Sequence, residues 1–373
     1  MPRHEGLGIE SIGQSEFYLR LENRAFEKRI PLAATMELTY GCNMRCVHCY
    51  NPTHKAKGEL STQEFYRIID ELAQEGCFSI TFTGGELFTR RDAFEILSYA
   101  KKKGVAIILF TNATLITPER ADRIQALQPL RVEISIYGAT PEIYEKVTQI
   151  PGSFGRFLKG VKRLRERQVP LLIKMPAMTL NQHEVGQAKA LVEGWGIRFI
   201  YCSEITPRQD GSLEPLRYRI SPQEVIQLDQ DILGVGHREG REERKCQASE
   251  GLFRCSCGKS SVAVTPYGEM NLCINFPVPQ YNLRTGNVSS GWKNLMEYID
   301  SVGPNQAYEC PECSLRNYCR QGPVDAWLER GDFSPCLPYF KELASLEKHT
   351  YETKHSRPRS GCHGDGESSK CGP

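Results

Sequence analysis

MELTYGCNMRCVHCYNP, residues 36–52, begins as a short apolar run and breaks into a loop carrying Cys42, Cys46 and Cys49. The run reads as one strand, which puts the three thiols at its carboxyl end. Downstream, strand and helix signals alternate. STQEFYRIIDELAQEG (61–76) has Ser61 and Glu64 as a capping box and Phe65, Ile68, Ile69 and Leu72 on one helical face. FSITFT (78–83) is β-rich and stops at Gly84–Gly85. A helix over 91–104 closes on three lysines and Gly104, as a helix carboxyl end favours. VAIILF (105–110), RVEISIY (131–137), LLIKMPAM (171–178) and IRFIYC (197–202) read as further strands. Between them PERADRIQAL, PEIYEKVT, FGRFLKGVKRLRER and EVGQAKALVEGW read as helices.

Six such units at roughly 30-residue spacing predict parallel strands with right-handed crossovers. The strands read as apolar on both faces, as in a parallel sheet wrapped by helices. Six units can close into a partial barrel or stay an open doubly wound sheet. The class expected is α/β, a partial (β/α)6 barrel with a small C-terminal Cys-rich domain. In either closure the working face is the carboxyl ends of the strands. The cysteine loop follows the first strand, Gly84–Gly85–Glu86 the second and Thr111–Asn112 the third, so all three share that face. The expected organisation is an N-terminal segment (1–32), a core (33–205), and a polar connecting segment (206–245) with a helix near 221–233. A Cys-rich domain (246–342) with little apolar core follows, then a C-terminal helix and disordered tail (343–373).

The net charge of +2 over 373 residues gives no support for nucleic-acid binding or a polybasic membrane role. No apolar run reaches the ~18 residues of a membrane span. The N-terminus mixes charges and lacks the apolar core of an export signal, so a cytoplasmic location is expected. In that compartment 15 cysteines point to metal or redox chemistry rather than to disulfides. Cys77 reads as core, and Cys362 and Cys371 in the tail as passengers.

Thiolates ligate soft iron or zinc. Structural zinc takes four closed ligands, usually from Cys-x-x-Cys pairs. Here the spacing is three, then two, and no fourth thiol or suitable carboxylate lies nearby. His48 can complete a zinc site, although its place beside Cys49 is awkward. A cubane iron–sulfur cluster held by three cysteines instead leaves one iron open to a small molecule.

The spacing, on a loop after the first strand, resembles the radical S-adenosylmethionine (SAM) superfamily, where an aromatic residue, here His48, precedes the last cysteine. Thr83, Gly84, Gly85 and Glu86 match that family's Gly-Gly-Glu element. The resemblance covers about 33–205. It implies a three-cysteine 4Fe-4S cluster on Cys42, Cys46 and Cys49, with SAM on the open iron. It implies further that Glu86 and nearby backbone hold the methionine amine, with polar contacts from Asn112 and Ser135 and a weaker candidate in Lys174. Asn112 reads equally well as a turn residue, and Ser135 as an inward strand hydroxyl. The implied chemistry is reductive cleavage of SAM to a 5′-deoxyadenosyl radical that abstracts hydrogen from a substrate. Cys202, at the end of the sixth strand, is a candidate hydrogen donor to a substrate radical, or a small buried hydrophobe. Glu204 and Tyr137 stand at similar strand ends, and Tyr144 reads as a packing residue.

The second cysteine region resembles a SPASM domain, the extension shared by subtilosin, pyrroloquinoline quinone, anaerobic sulfatase and mycofactocin maturases. That resemblance implies two auxiliary 4Fe-4S clusters. Cys310, Cys313, Cys319 and Cys336 would hold the outer one. Cys255, Cys257 and Cys273, with Cys246 as a substitute, would serve the inner one. Pro323 stands where the pattern expects a cysteine, so the ligation of the inner cluster stays open, and a zinc ribbon on Cys310 and Cys313 is the alternative. The expected function is radical maturation of a peptide or small protein, with an external flavodoxin- or ferredoxin-like electron donor and neither nucleic acid nor membrane as partner. The alternatives are radical modification of a tetrapyrrole or sugar intermediate, an electron carrier, or a zinc-bound interaction protein.

Overall fold

A computed structural model describes residues 14–51, 53–234, 252–253 and 255–355. Cys246, Cys362, Cys371 and the expected tail lie outside the described residues.

The chain enters through α1 (Gln14–Lys28) and then alternates. The units are β1 (Ala33–Thr39) and α2 (Thr62–Gln74), β2 (Ser79–Gly84) and α3 (Ala93–Lys102), then β3 (Ala106–Thr111) and α4 (Pro118–Leu127). After β4 (Arg131–Ser135) come two helices, α5 (Pro141–Thr148) and α6 (Ser153–Glu166). Then β5 (Leu171–Pro176), α7 (Val185–Glu193) and β6 (Arg198–Cys202) complete the series. Neighbouring strands pair in parallel from β1 to β6 in sequence order, as the six-unit reading predicts. The Ser61–Glu64 capping box starts α2 as expected, and α4 begins with Thr117 capping and Pro118 in its first turn.

The two faces of the sheet differ, contrary to the reading that both are apolar. Met36, Leu38, Ile80, Phe82, Leu109, Ile134, Ile173 and Met175 are wholly buried on the helix-covered side. The registers line up Thr35 with Thr81, Glu37 with Thr83, Phe110 with Glu133, Ser135 with Lys174 and Pro176 with Cys202 on the other side. That concave face carries polar and charged side chains, among them the buried Glu37 and Glu133. On it, the Lys174 ammonium reaches across β4 to lie 4.3 Å from the centre of the Phe110 ring.

After α8 (Pro222–Leu228) the chain returns as β7 (Ser261–Val264), which pairs in parallel with the free edge of β1. Then β8 (Glu269–Asn271) and β9 (Tyr281–Asn282) add antiparallel strands, giving a nine-stranded sheet. The last helices are α9 (Val288–Ser301), α10 (Pro323–Arg330) and α11 (Pro338–His355). The Cys-rich region therefore does not rest on a meagre core of its own. Phe276, Leu283, Trp292 and Leu295 join the main hydrophobic cluster, because β7 continues the barrel sheet. Arg29 at the end of α1 pairs with Asp300, and the Trp292 indole donates to the Arg29 carbonyl, so α1 is tied to α9. Among the described residues no helix is long and apolar enough to cross a membrane.

Candidate active site

The cysteine loop is fastened to three barrel elements. A one-residue bulge at the end of β1 sets Thr39 opposite Gly84. Gly85 N–H donates to the Thr39 carbonyl (2.7 Å) and Glu86 N–H to the Gly41 carbonyl (2.9 Å). A Cβ on Gly84, whose φ is +135°, would lie 2.2 Å from the Thr39 oxygen. One on Gly85 would lie 2.5 Å from the Gly41 oxygen and 2.9 Å from the Cys42 Cβ. Both glycines are thus required for the close approach of β2 to the root of the loop. On the other side, Arg45 and Val47 N–H groups donate to the Thr148 and Val147 carbonyls, at 3.0 and 3.1 Å. Those are open acceptors at the carboxyl end of α5. From β3, Asn112 Nδ2 donates to Asn43 Oδ1 (3.0 Å), and Asn43 Nδ2 to Thr114 Oγ1 (2.8 Å).

Cys42, Cys46 and Cys49 are free and partly buried. Burial pushes the Cys42 thiol up to about 11, with Glu86 and Cys49 adding to the effect. Burial likewise raises Cys46, with Cys49 and Cys42 reinforcing it, and burial raises Cys49. Three buried, mutually repelling thiolates need a cation among them. The donor set and the glycine cradle against Cys42 fit a three-thiolate cluster. Among the described residues no three His, Cys, Asp or Glu side chains are arranged to hold a single metal ion, so the fit rests on donor type and burial. His48 packs against Tyr137 (ring centres 5.3 Å apart), burial lowers it to about 4, and its Nδ1 lacks a partner.

Glu86 is 1% exposed. Its carboxylate accepts from the Asn112 N–H (2.7 Å), the Thr111 hydroxyl (2.9 and 3.0 Å) and the Phe88 N–H (3.2 Å). Its side chain thereby staples β2 to β3, while burial raises its pKa. Asn112 Oδ1 accepts from the Thr114 N–H and hydroxyl, the turn geometry weighed for it from sequence. Thr83 and Ser135 stand on the lumen face of β2 and β4. Lys174 pairs with the Glu133 carboxylate, which Arg131 also holds, at 2.5 Å. Cys202 is exposed to solvent yet ringed by protein, which pushes its thiol up to about 11; Glu204 adds to this and Lys174 opposes it. Tyr137 and Tyr144 pack together (5.5 Å), and Tyr144 packs on Phe154 and Phe157, as a core residue does. Cys77 is buried, also as expected.

The remaining thiols fall into two groups. Cys257 hydrogen-bonds with Cys255 and Cys273, which lowers the pKa of both neighbours. Cys319 and Cys336 each feel the charges of Cys310 and Cys313. These sets of three and four soft donors also fit clusters. Pro323 begins α10, where its missing N–H costs nothing.

The sequence reading missed what lies between the two regions. Glu37, 2% exposed, accepts from the Tyr50 hydroxyl at 3.0 Å. Burial lifts its pKa to about 8, with a small contribution from Cys273. Gln209, from the supposedly plain connecting segment, donates its N–H to the Tyr50 carbonyl (2.9 Å) and accepts from the Tyr40 hydroxyl (3.1 Å). Its amide also donates to the carbonyl of Ile274, next to Cys273. One side chain thus ties the thiol loop to the Cys273 segment. The only available signal was Glu37 itself, an acid inside an apolar strand.

The sequence profile described as "Radical SAM superfamily" matches residues 36–192. The AdoMet-dependent heme synthase of Methanosarcina barkeri is 28% identical over 334 residues, 83% of this chain and 96% of that protein. The mycofactocin maturase MftC of Mycobacterium tuberculosis is 28% identical over 311 residues, 79% of each chain. Among solved structures, Streptococcus suis SuiB bound to its precursor peptide SuiA superposes with a TM-score of 0.67. That likeness spans 88% of this chain and 83% of SuiB at 14% identity, a likeness of fold.

Proposed function

The chain is a member of the radical SAM superfamily, and from that premise we propose that it is a maturase acting on a peptide or small protein. The observation that carries the reading is the loop of Cys42, Cys46 and Cys49: three buried thiols held by barrel backbone, with no fourth thiol in the loop. When bound there, a 4Fe-4S cluster supplies the electron that breaks a carbon–sulfur bond of SAM. Cys42, Cys46 and Cys49 would hold it; Gly84 and Gly85 let β2 approach the root of the loop, and Glu86 ties the end of β2 to the end of β3. Asn112 orients Asn43 beside Cys42. His48, Tyr137 and Tyr144 keep water from the thiols on the α5 side. The substrate enters the polar lumen, where Ser135, Lys174 and the protonated Cys202 thiol face it. Cys202 is the candidate hydrogen donor. The thiols of 255–336 would hold auxiliary clusters, an external one-electron carrier would supply the electrons, and the place of work is the cytoplasm.

The mycofactocin maturase among the relatives and the peptide-bound neighbour of like fold support a peptide substrate. A second reading, a tetrapyrrole substrate, is supported by the heme synthase, 96% of whose length is covered. Anaerobic reconstitution with SAM and dithionite is expected to release 5′-deoxyadenosine, and its failure with full iron loading overturns the enzyme reading. Deuterium transfer into that product from a labelled precursor peptide, but not from a labelled tetrapyrrole, selects the first reading; the reverse selects the second.

A further inference from the structure

Outside the lumen, the turn after β3 and the start of α3 and α4 enclose a cavity of about 490 Å3. Five arginines line it, Arg90, Arg91, Arg120, Arg123 and Arg163, against one carboxylate, Glu119. Arg90 is committed to Asp92 and to the Leu38 and Leu60 carbonyls. Among the described residues none of Arg91, Arg120, Arg123 and Arg163 stands in a close ion pair, although the Arg120 charge acts on the buried Glu86 carboxylate. Arg120 and Arg163 each give one N–H to a turn carbonyl, of Leu115 and Ile116. A guanidinium has five N–H groups, so both keep donors to spare. Arg123 lies over the Phe94 ring at 4.1 Å, and Arg91 and Arg123 are exposed. In a chain of net charge +2, Arg91, Arg123 and Arg163, with no carboxylate in close contact, make a local field around one cavity.

The cavity also backs onto the thiol loop. Thr114, in its lining, accepts from Asn43, the residue after Cys42. Phe88, also in its lining, donates its N–H to Glu86. Asn43 and Glu86 thus link the basic surface to the root of the thiol loop.

We propose that this arginine-lined cavity is the docking point for an acidic one-electron carrier protein, whose surface carboxylates pair with the free guanidinium groups. The inference rests on the function proposed above, which needs electrons from outside. Each docking event would oxidise the carrier by one electron and reduce by one the cluster that Cys42, Cys46 and Cys49 would hold; no atom is exchanged. Exposed arginines in the turn before α3 and on α4 suit a protein partner, because steering by rim charges acts over a Debye length before contact.

The test uses the full-length reconstituted protein, wild type and the double variant R91E/R123E, with an acidic flavodoxin as probe. Binding of the carrier is measured by calorimetry without turnover. SAM cleavage is then driven either by reduced flavodoxin or by dithionite. The expected result is weaker flavodoxin binding and at least a roughly tenfold slower flavodoxin-driven reaction at about 0.05 M salt, the difference shrinking at about 0.5 M. Dithionite-driven cleavage is expected to stay unchanged, and R91Q/R123Q to give a smaller loss in the same direction. Equal flavodoxin binding and rate in wild type and variant overturn the proposal, as does an equal loss with both reductants. Saturation of the cavity with pyrophosphate without slowing the carrier also overturns it, and marks a small-anion site instead. Should dithionite drive no cleavage in the wild type, the proposed function falls, while the binding measurement still decides the docking site.

Discussion

The thiol loop after β1 and the outer thiols of the C-terminal region are built in opposite ways. Backbone from β1, β2 and α5 and a side chain from β3 converge on the first. Cys310, Cys313 and Cys319 instead lie on short turns whose backbone bonds are local: Cys313 to Cys310 (3.4 Å), Arg316 to Cys313 (3.1 Å), Cys319 to Arg316 (3.4 Å). The barrel shapes the first site before any metal arrives. Beyond these local bonds the second is held by Arg320 on Asp229 and Glu347, so it is expected to depend more on what its thiols bind.

The largest effect that can break this contrast comes from Cys42→Ala against Cys313→Ala. The first is expected to abolish SAM cleavage and to move the melting temperature by no more than about 2–4 °C. The second is expected to lose iron and to open the 305–336 region to limited proteolysis. Equal proteolysis of both variants would erase the distinction. Next, Gly85→Ala drives a methyl against two backbone oxygens and the Cys42 Cβ. A cost of about 1–3 kcal/mol is expected in urea unfolding, with loss of iron from the loop.

Glu37 sharpens the contrast through pH. Its folded-state value of about 8 stands above the ordinary carboxylate range. The stability it contributes is therefore fully present below the unfolded-state pKa and is lost as pH rises through about 8. Unfolding free energies at pH 6 and pH 9 should differ by roughly 1–2 kcal/mol more in the wild type than in Glu37→Gln. Gln209→Ala is the mildest change, about 1 kcal/mol for its lost hydrogen bonds. It is also expected to abolish any shift that SAM binding causes in the electron paramagnetic resonance signal of the Cys273 site; a shift that persists in the variant excludes Gln209 as the link.

The barrel was legible because its signals are local. The α2 capping box, Pro118 in the first turn of α4 and the strand spacing specify elements within a few residues. The lumen was misread because Glu37, Glu133 and Lys174 alternate with large aliphatics, and hydropathy averages them away. β7 to β9 are short and owe their strand character to the edge of β1, a partner far away in sequence. The three thiol groups are read from the sequence spacing alone. The part of Gln209 did not, because a polar residue in a polar segment carries no mark of what it will touch.

The pairing of Ala33 with Ser261 has a consequence for biogenesis. β1 leaves the ribosome well before β7, and β2 covers one of its borders soon afterwards. Its other border stays bare until β7 has been synthesised, so the nascent barrel carries an unsatisfied strand edge while β2 to β6 are made. Truncation before β7 would leave that edge open for good, with aggregation rather than a smaller active barrel as the outcome.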